Sequence, residues 1–181
     1  MEKRTGIVLV LAAVAIAVAA IVGAGNKDSK SSTASTDTSA QVAQGQTTPA
    51  EEIKVPEAIS KAPVMRKTSG KPPTSLETKD LVVGDGTEAK VGDSVTMRYT
   101  GVLWGKGTEF DSSWQRSPNE FPFTLGQGSV IPCWDKGVVG MKVGGRRELV
   151  CPPDTAYGSQ GQGSIPPNST LVFVVDLIKV G

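Results

Sequence analysis

The sequence predicts an α+β domain in which a curved antiparallel sheet of five to six strands wraps around one short helix. Three observations carry that reading. Every tryptophan, tyrosine and phenylalanine lies at or beyond Tyr99, so the first part of the chain has no aromatic side chain with which to build a core. In two C-terminal runs side chains alternate with period two: Val95, Met97 and Tyr99 against Thr96, Arg98 and Thr100, and Leu171, Phe173, Val175 and Leu177 against Val172, Val174, Asp176 and Ile178. That period marks strands with one face on a core. A single run, Ile131, Trp134, Val138 and Met141, recurs at helical spacing, and one helix among several antiparallel strands is best buried inside the curve of the sheet.

Taken in chain order, residues 1–25 begin with charged Glu2, Lys3 and Arg4 and continue into the uncharged apolar run Gly6 to Ala24. At about 1.5 Å per residue this run nearly spans a hydrocarbon core of about 30 Å. It reads as a membrane-insertion signal, either a cleaved signal peptide or an uncleaved anchor, which places the rest of the chain outside the cytosol. Residues 26–75 are rich in Ser, Thr, Ala, Gln, Lys and Pro and carry too little apolar surface to offset chain entropy, which reads as a flexible tether. The folded unit is then 76–181. Within it Leu81 to Val83, Phe121 to Leu125 and Arg146 to Cys151 add short strands separated by glycine turns. Pro132 suits the first helical turn, where its missing N–H costs nothing, and Gly144-Gly145 can end the helix.

Composition removes several classes of chemistry. The chain has no histidine, so nucleophilic catalysis with an imidazole base is excluded. Two cysteines cannot complete the usual four-ligand nitrogen and sulfur set of zinc, and no metal or cofactor is expected. Nineteen basic against eighteen acidic residues, a net charge of +1, leave no basic face of the kind that a nucleic-acid partner needs. Arg146-Arg147, the one basic pair in the folded unit, reads as a solvated strand end.

A series of ordered segments is more specific: VTMRYTGVL, TEFDSS, FPFTLGQGSVI followed by Trp134, GMKVGGRREL, PPDTAYG and IPPNSTLVFVVDLIKV. In this order the chain from Leu76 to Val180 resembles the FKBP-type peptidyl-prolyl cis-trans isomerases, the macrolide-binding immunophilins. The resemblance implies a half-barrel sheet around one helix, with an apolar pocket between them that receives a proline side chain. It implies Tyr99, Phe110, Asp111, Trp134, Tyr157 and Phe173 as the catalytic set, Trp134 being the floor. Arg116, Phe121, Val130, Ile131 and Ile165 join them as substrate-binding residues. The implied partners are proline-containing polypeptides and macrolide inhibitors, with the chain acting as a monomer.

The chemistry suits the composition. Rotation about an X-Pro bond crosses a barrier of about 20 kcal/mol because the amide must lose its resonance. A dry aromatic pocket favours the twisted, less polar amide over the planar, hydrated one, and needs no nucleophile, base or metal. On the resemblance, Asp111 orients the twisted carbonyl or an adjacent amide through Arg116 or Tyr99; read alone, it caps the Asp111-Ser112-Ser113 turn. Taken singly, each aromatic also reads as core packing. The rival to an enzyme is a module of the same fold that binds proline segments as a chaperone with little turnover. The loop GSQGQGSI, one residue shorter than the common family version, and an extra residue in WQRSPNEF bear on peptide preference and macrolide affinity rather than on isomerisation.

Cys133 and Cys151 form no CxxC motif and have no neighbour that would lower a thiol pKa. Outside the cytosol an even pair favours a structural disulfide; the alternative is two buried thiols that never meet. Asn168-Ser169-Thr170 matches a glycosylation acceptor but lies in a family turn motif.

Overall fold

The structure is a computed structural model that describes residues 56–181. The membrane-insertion segment and the first part of the tether lie outside the described residues. Among the described residues no helix is long and apolar enough to cross a membrane.

Six strands form one antiparallel sheet: β1 (Glu77–Val82), β2 (Ser94–Leu103), β3 (Glu109–Ser112), β4 (Phe121–Thr124), β5 (Arg146–Cys151) and β6 (Leu171–Val180). Their order is β1-β5-β6-β2-β3, with β4 also paired to β2. The central pair, β2 and β6, is ten residues long in each strand and runs from Val95↔Val180 to Leu103↔Leu171, with one register shift between Thr96 and Met97. The far edge of β2 is shared. Near its start it pairs with β4, from Ser94↔Thr124 to Met97↔Phe121, and near its end with β3, from Thr100↔Ser112 to Val102↔Glu109. Between the two partners the Tyr99 N–H would be orphaned in the interior. Fully buried Ser113 fills that gap, its hydroxyl accepting the bond at 2.9 Å.

One face of the sheet carries Val95, Met97, Tyr99, Phe123, Leu149, Cys151, Leu171, Phe173, Val175 and Leu177, which pack with Ile131, Trp134 and Val138 into a single core. The other face of β6, Val172, Val174, Asp176 and Ile178, is buried as well, and the chain preceding β1 accounts for part of that cover. Pro63, Val64, Arg66 and Thr68 share a cleft with Lys79, Leu81, Arg146, Glu148 and Val174. Arg146 donates to the Lys61 carbonyl at 2.7 Å, the Gly105 N–H to Thr68 at 2.6 Å, and the Trp104 indole to the Gly70 carbonyl at 3.3 Å. Ile59 is completely buried. Composition assigns these residues to the tether, yet several of the last twenty touch the domain, at Lys61, Thr68 and Gly70, while most of their side chains remain exposed.

Two boundaries depart from the sequence pattern. The helix α1 spans only Pro132–Gly137, and the chain leaves it in a turn through Gly140 at φ 79°. Val138 and Met141 remain buried at helical spacing without continuing the helix. β1 extends over Glu77–Val82 as an edge strand, and neither Leu81 nor Val83 is buried. The apolar triplet therefore does not face the core. Arg146 and Arg147 are not a solvated end either: each is held by a carboxylate, Asp176 and Asp80 respectively.

Candidate functional site

The candidate site lies where the edge of β2 changes partners. Tyr99 stands on β2 at that point, Phe110 and Asp111 on β3, Phe121 on β4, Phe173 on β6, and Trp134 on α1. Trp134 is fully buried, and four rings surround it: Tyr99 at 4.9 Å, Phe173 at 5.4 Å, Phe123 at 5.8 Å and Phe121 at 5.9 Å between centroids. Three of these meet it edge to face, the arrangement that the ring quadrupole favours. Phe110 continues the wall, 5.5 Å from Phe173 and at 89° to it. Gly101 makes this approach possible, since a Cβ there would lie 2.6 Å from the Phe110 ring and 2.8 Å from that of Phe173. All four phenylalanines of the chain belong to this group.

Polar groups line one side. Tyr99 donates its phenolic hydrogen to the Asp111 carboxylate, and Arg116 donates to the same phenolic oxygen at 2.6 Å while lying 3.6 Å from Asp111. The Asp111 carboxylate thus turns inward to a residue twelve positions away instead of capping its own turn. Its side chain is 12% exposed and that of Arg116 45%, so the network runs from the interior to the rim. Burial, helped by the hydrogen bond to Asp111 and opposed by Arg116, holds the Tyr99 phenol well above its ordinary pKa. Tyr157 is half-buried, and burial together with the Asp111 charge pushes its phenol up to about 12. Both hydroxyls are therefore neutral donors at physiological pH.

Loops complete the enclosure. Asp135 of α1 accepts the Gly126 and Gly128 N–H groups at 2.9 Å each, which fastens the β4–α1 loop and presents buried Val130 and Ile131. A two-bond bridge between Gln162 and Ile165 pins the loop after Tyr157, with Ile165 only 5% exposed. Cys133 and Cys151 are joined as a disulfide with Cα atoms 5.7 Å apart, linking the residue before Trp134 to the end of β5. Hence the residues singled out in the sequence are gathered around one aromatic cluster. Phe123 was missed, although its period-two relation to Phe121 puts both on one strand face, and so was Ser113, whose role depends on a gap in the sheet that only the pairing reveals.

Comparison with known proteins gives the family. Residues 86–178 match the family model described as FKBP-type peptidyl-prolyl cis-trans isomerase. An FK506-binding protein of Streptomyces anulatus is 50% identical over 113 residues, 61% of this chain and 90% of that protein. The peptidyl-prolyl cis-trans isomerase Fkbp12 of Drosophila melanogaster is 56% identical over 107 residues, 58% of this chain and 97% of that protein. Among solved structures, AtFKBP13 superposes with a TM-score of 0.55 at 37% identity, over 61% of this chain and 96% of that one. FkpA from Escherichia coli does so with a TM-score of 0.54 at 41% identity, over 61% of this chain and 50% of that one. The chain belongs to the FKBP-type peptidyl-prolyl cis-trans isomerases.

Proposed function

We propose that this isomerase acts on X-Pro bonds of proteins outside the cytosol, binding the proline side chain against Trp134 and favouring the twisted amide without covalent chemistry. The observation that carries the reading is the junction of a dry aromatic wall, Phe110, Phe121, Phe173 and Trp134, with the Tyr99–Asp111–Arg116 network at its side. As the amide twists, resonance is lost and the C–N unit becomes less polar, so apolar walls favour that state over the hydrated planar one. The Tyr157 hydroxyl, held neutral, donates to the substrate carbonyl, and Asp111 fixes the orientation of Tyr99 and Arg116 at the rim. Val130, Ile131 and Ile165 supply the remaining apolar contacts around the proline.

The same surface is the proposed site for macrolides, in line with the FK506-binding names of several relatives. Residence outside the cytosol is supported by the apolar run Gly6 to Ala24 and by the disulfide, a bond that persists in oxidising compartments. In this reading the N-terminal segment either anchors the chain in the membrane or is cleaved, and the isomerase works as a monomer.

The test is a proline-peptide isomerisation assay with the full chain beside Phe110→Ala and Asp111→Ala. The parent accelerates isomerisation, and each substitution lowers kcat/KM by on the order of tenfold, equal to about 1.4 kcal/mol of transition-state stabilisation. A parent without acceleration contradicts catalysis, and unchanged rates in both variants contradict the site. Loss of the chain from the membrane fraction when residues 6–24 are deleted checks the anchor.

A further inference from the structure

A helix of six residues cannot hold itself, because nucleation is costly and most of its terminal backbone groups lack intrahelical partners. Yet α1 carries Trp134, so its placement sets the depth of the pocket. The face of β5 turned to the helix supplies three consecutive contacts from alternate residues. At one end Cys151 is bonded to Cys133 in the first turn. In the middle Leu149 lies against Gly137, where a Cβ would come within 2.8 Å of the leucine methyl. At the other end Arg147 donates from Nη1 to the carbonyls of Gly137 at 2.9 Å and Val139 at 3.2 Å. A cation at the C-terminus of a helix complements its unpaired carbonyls and its dipole.

Arg147 is itself held. Its Nε and Nη2 form a fork on Asp80 of β1, at 2.6 and 3.1 Å, and its side chain is only 13% exposed. The guanidinium thus spends three nitrogens on two tasks, one edge fixing it to the edge strand and the third nitrogen fixing the helix end. We propose that Arg147, oriented by Asp80, is a positioning residue of the isomerase, setting the height of Trp134 from outside the pocket. This inference rests on the reading of Trp134 as the pocket floor. Arg147 touches no substrate and acts only through α1.

The test compares the full chain with Arg147→Ala, Arg147→Lys and Asp80→Asn, each assayed well below its melting temperature, and follows the Trp134 indole N–H resonance. Arg147→Ala, by loosening the end of α1 under Trp134, lowers kcat/KM by about fivefold and shifts that resonance. Arg147→Lys, keeping a donor and a charge at the helix end, recovers part of both effects. A folded Arg147→Ala with unchanged kcat/KM and an unmoved indole resonance overturns the inference; if that variant does not fold, Asp80→Asn decides by the same two readouts. Phe110→Ala run alongside separates the two failures. If Phe110→Ala also leaves the rate unchanged, the pocket reading has failed; if it alone slows the rate, only the role of Arg147 has.

Discussion

Arg146 and Asp176 form a two-point ion pair across neighbouring strands, Nε and Nη2 of the arginine lying 2.5 and 2.8 Å from the two carboxylate oxygens. Asp176 is 1% exposed and its carboxyl stands above the ordinary range, because burial opposes its charge more than Arg146 and Arg98 support it. A carboxyl raised in this way contributes stability that is present below the unfolded pKa of about 3.9 and lost as pH rises through its folded value. Removing Arg146 raises the folded pKa further and widens that loss. Arg146→Ala therefore destabilises by about 3 kcal/mol at neutral pH, and the deficit shrinks as Asp176 becomes protonated in acid. Urea midpoints at neutral and acidic pH check both the size and the direction.

The same arginine reaches the carbonyl of Lys61, so the chain ahead of β1 shares in the stability of the sheet. Ile59, fully buried, is its apolar anchor. Ile59→Ala costs about 2 to 5 kcal/mol, the usual range for a buried isoleucine cut to alanine. A fragment starting at Pro56 unfolds at a higher urea concentration than one starting at Thr74. Equal midpoints for the two fragments would show that these residues only rest on the surface.

The disulfide joins residues eighteen positions apart in sequence. Replacing both cysteines by serine lowers stability by about 3 kcal/mol on the chain-entropy account. Thermal unfolding of the double variant against the oxidised parent measures it.

With both phenols held neutral and no imidazole in the chain, neither hydroxyl of the proposed chemistry ionises near neutrality. Since the Tyr157 phenol loses its proton only towards pH 12, kcat/KM stays flat between about pH 6 and 10. A bell-shaped profile centred near pH 7 would instead require a proton-transfer step.

Much of this was legible because the core is built by alternation. Tyr99 and Phe173 stand in period-two runs that face inward as read, and Trp134 follows a proline that opens its helix. The elements that escaped are those whose reasons lie elsewhere in the chain. β3, only four residues long, has no period long enough to register and exists because β2 offers an edge. The spacing suggests a longer helix because Met141 keeps it beyond the i→i−4 hydrogen bond from the Val138 N–H to the Trp134 carbonyl at the helix end. Read alone, Asp111 offers only a local cap, because Tyr99 and Arg116 are twelve and five positions away; the family resemblance is what points to those partners. Ile59 stands in a stretch whose composition reads as a tether, and only the folded structure shows that it is fully buried.

The shared edge of β2 has an evolutionary side. In a single continuous partner strand, one added residue would shift the register and turn every later side chain to the wrong face. Here β3 and β4 dock on β2 independently; Ser113 is tied to the Tyr99 N–H, and the residues from Gln115 to Glu120 connect the two strands. That connector, which carries Arg116, can therefore change length or composition and remodel the rim for new peptides while the aromatic wall behind it stays in place.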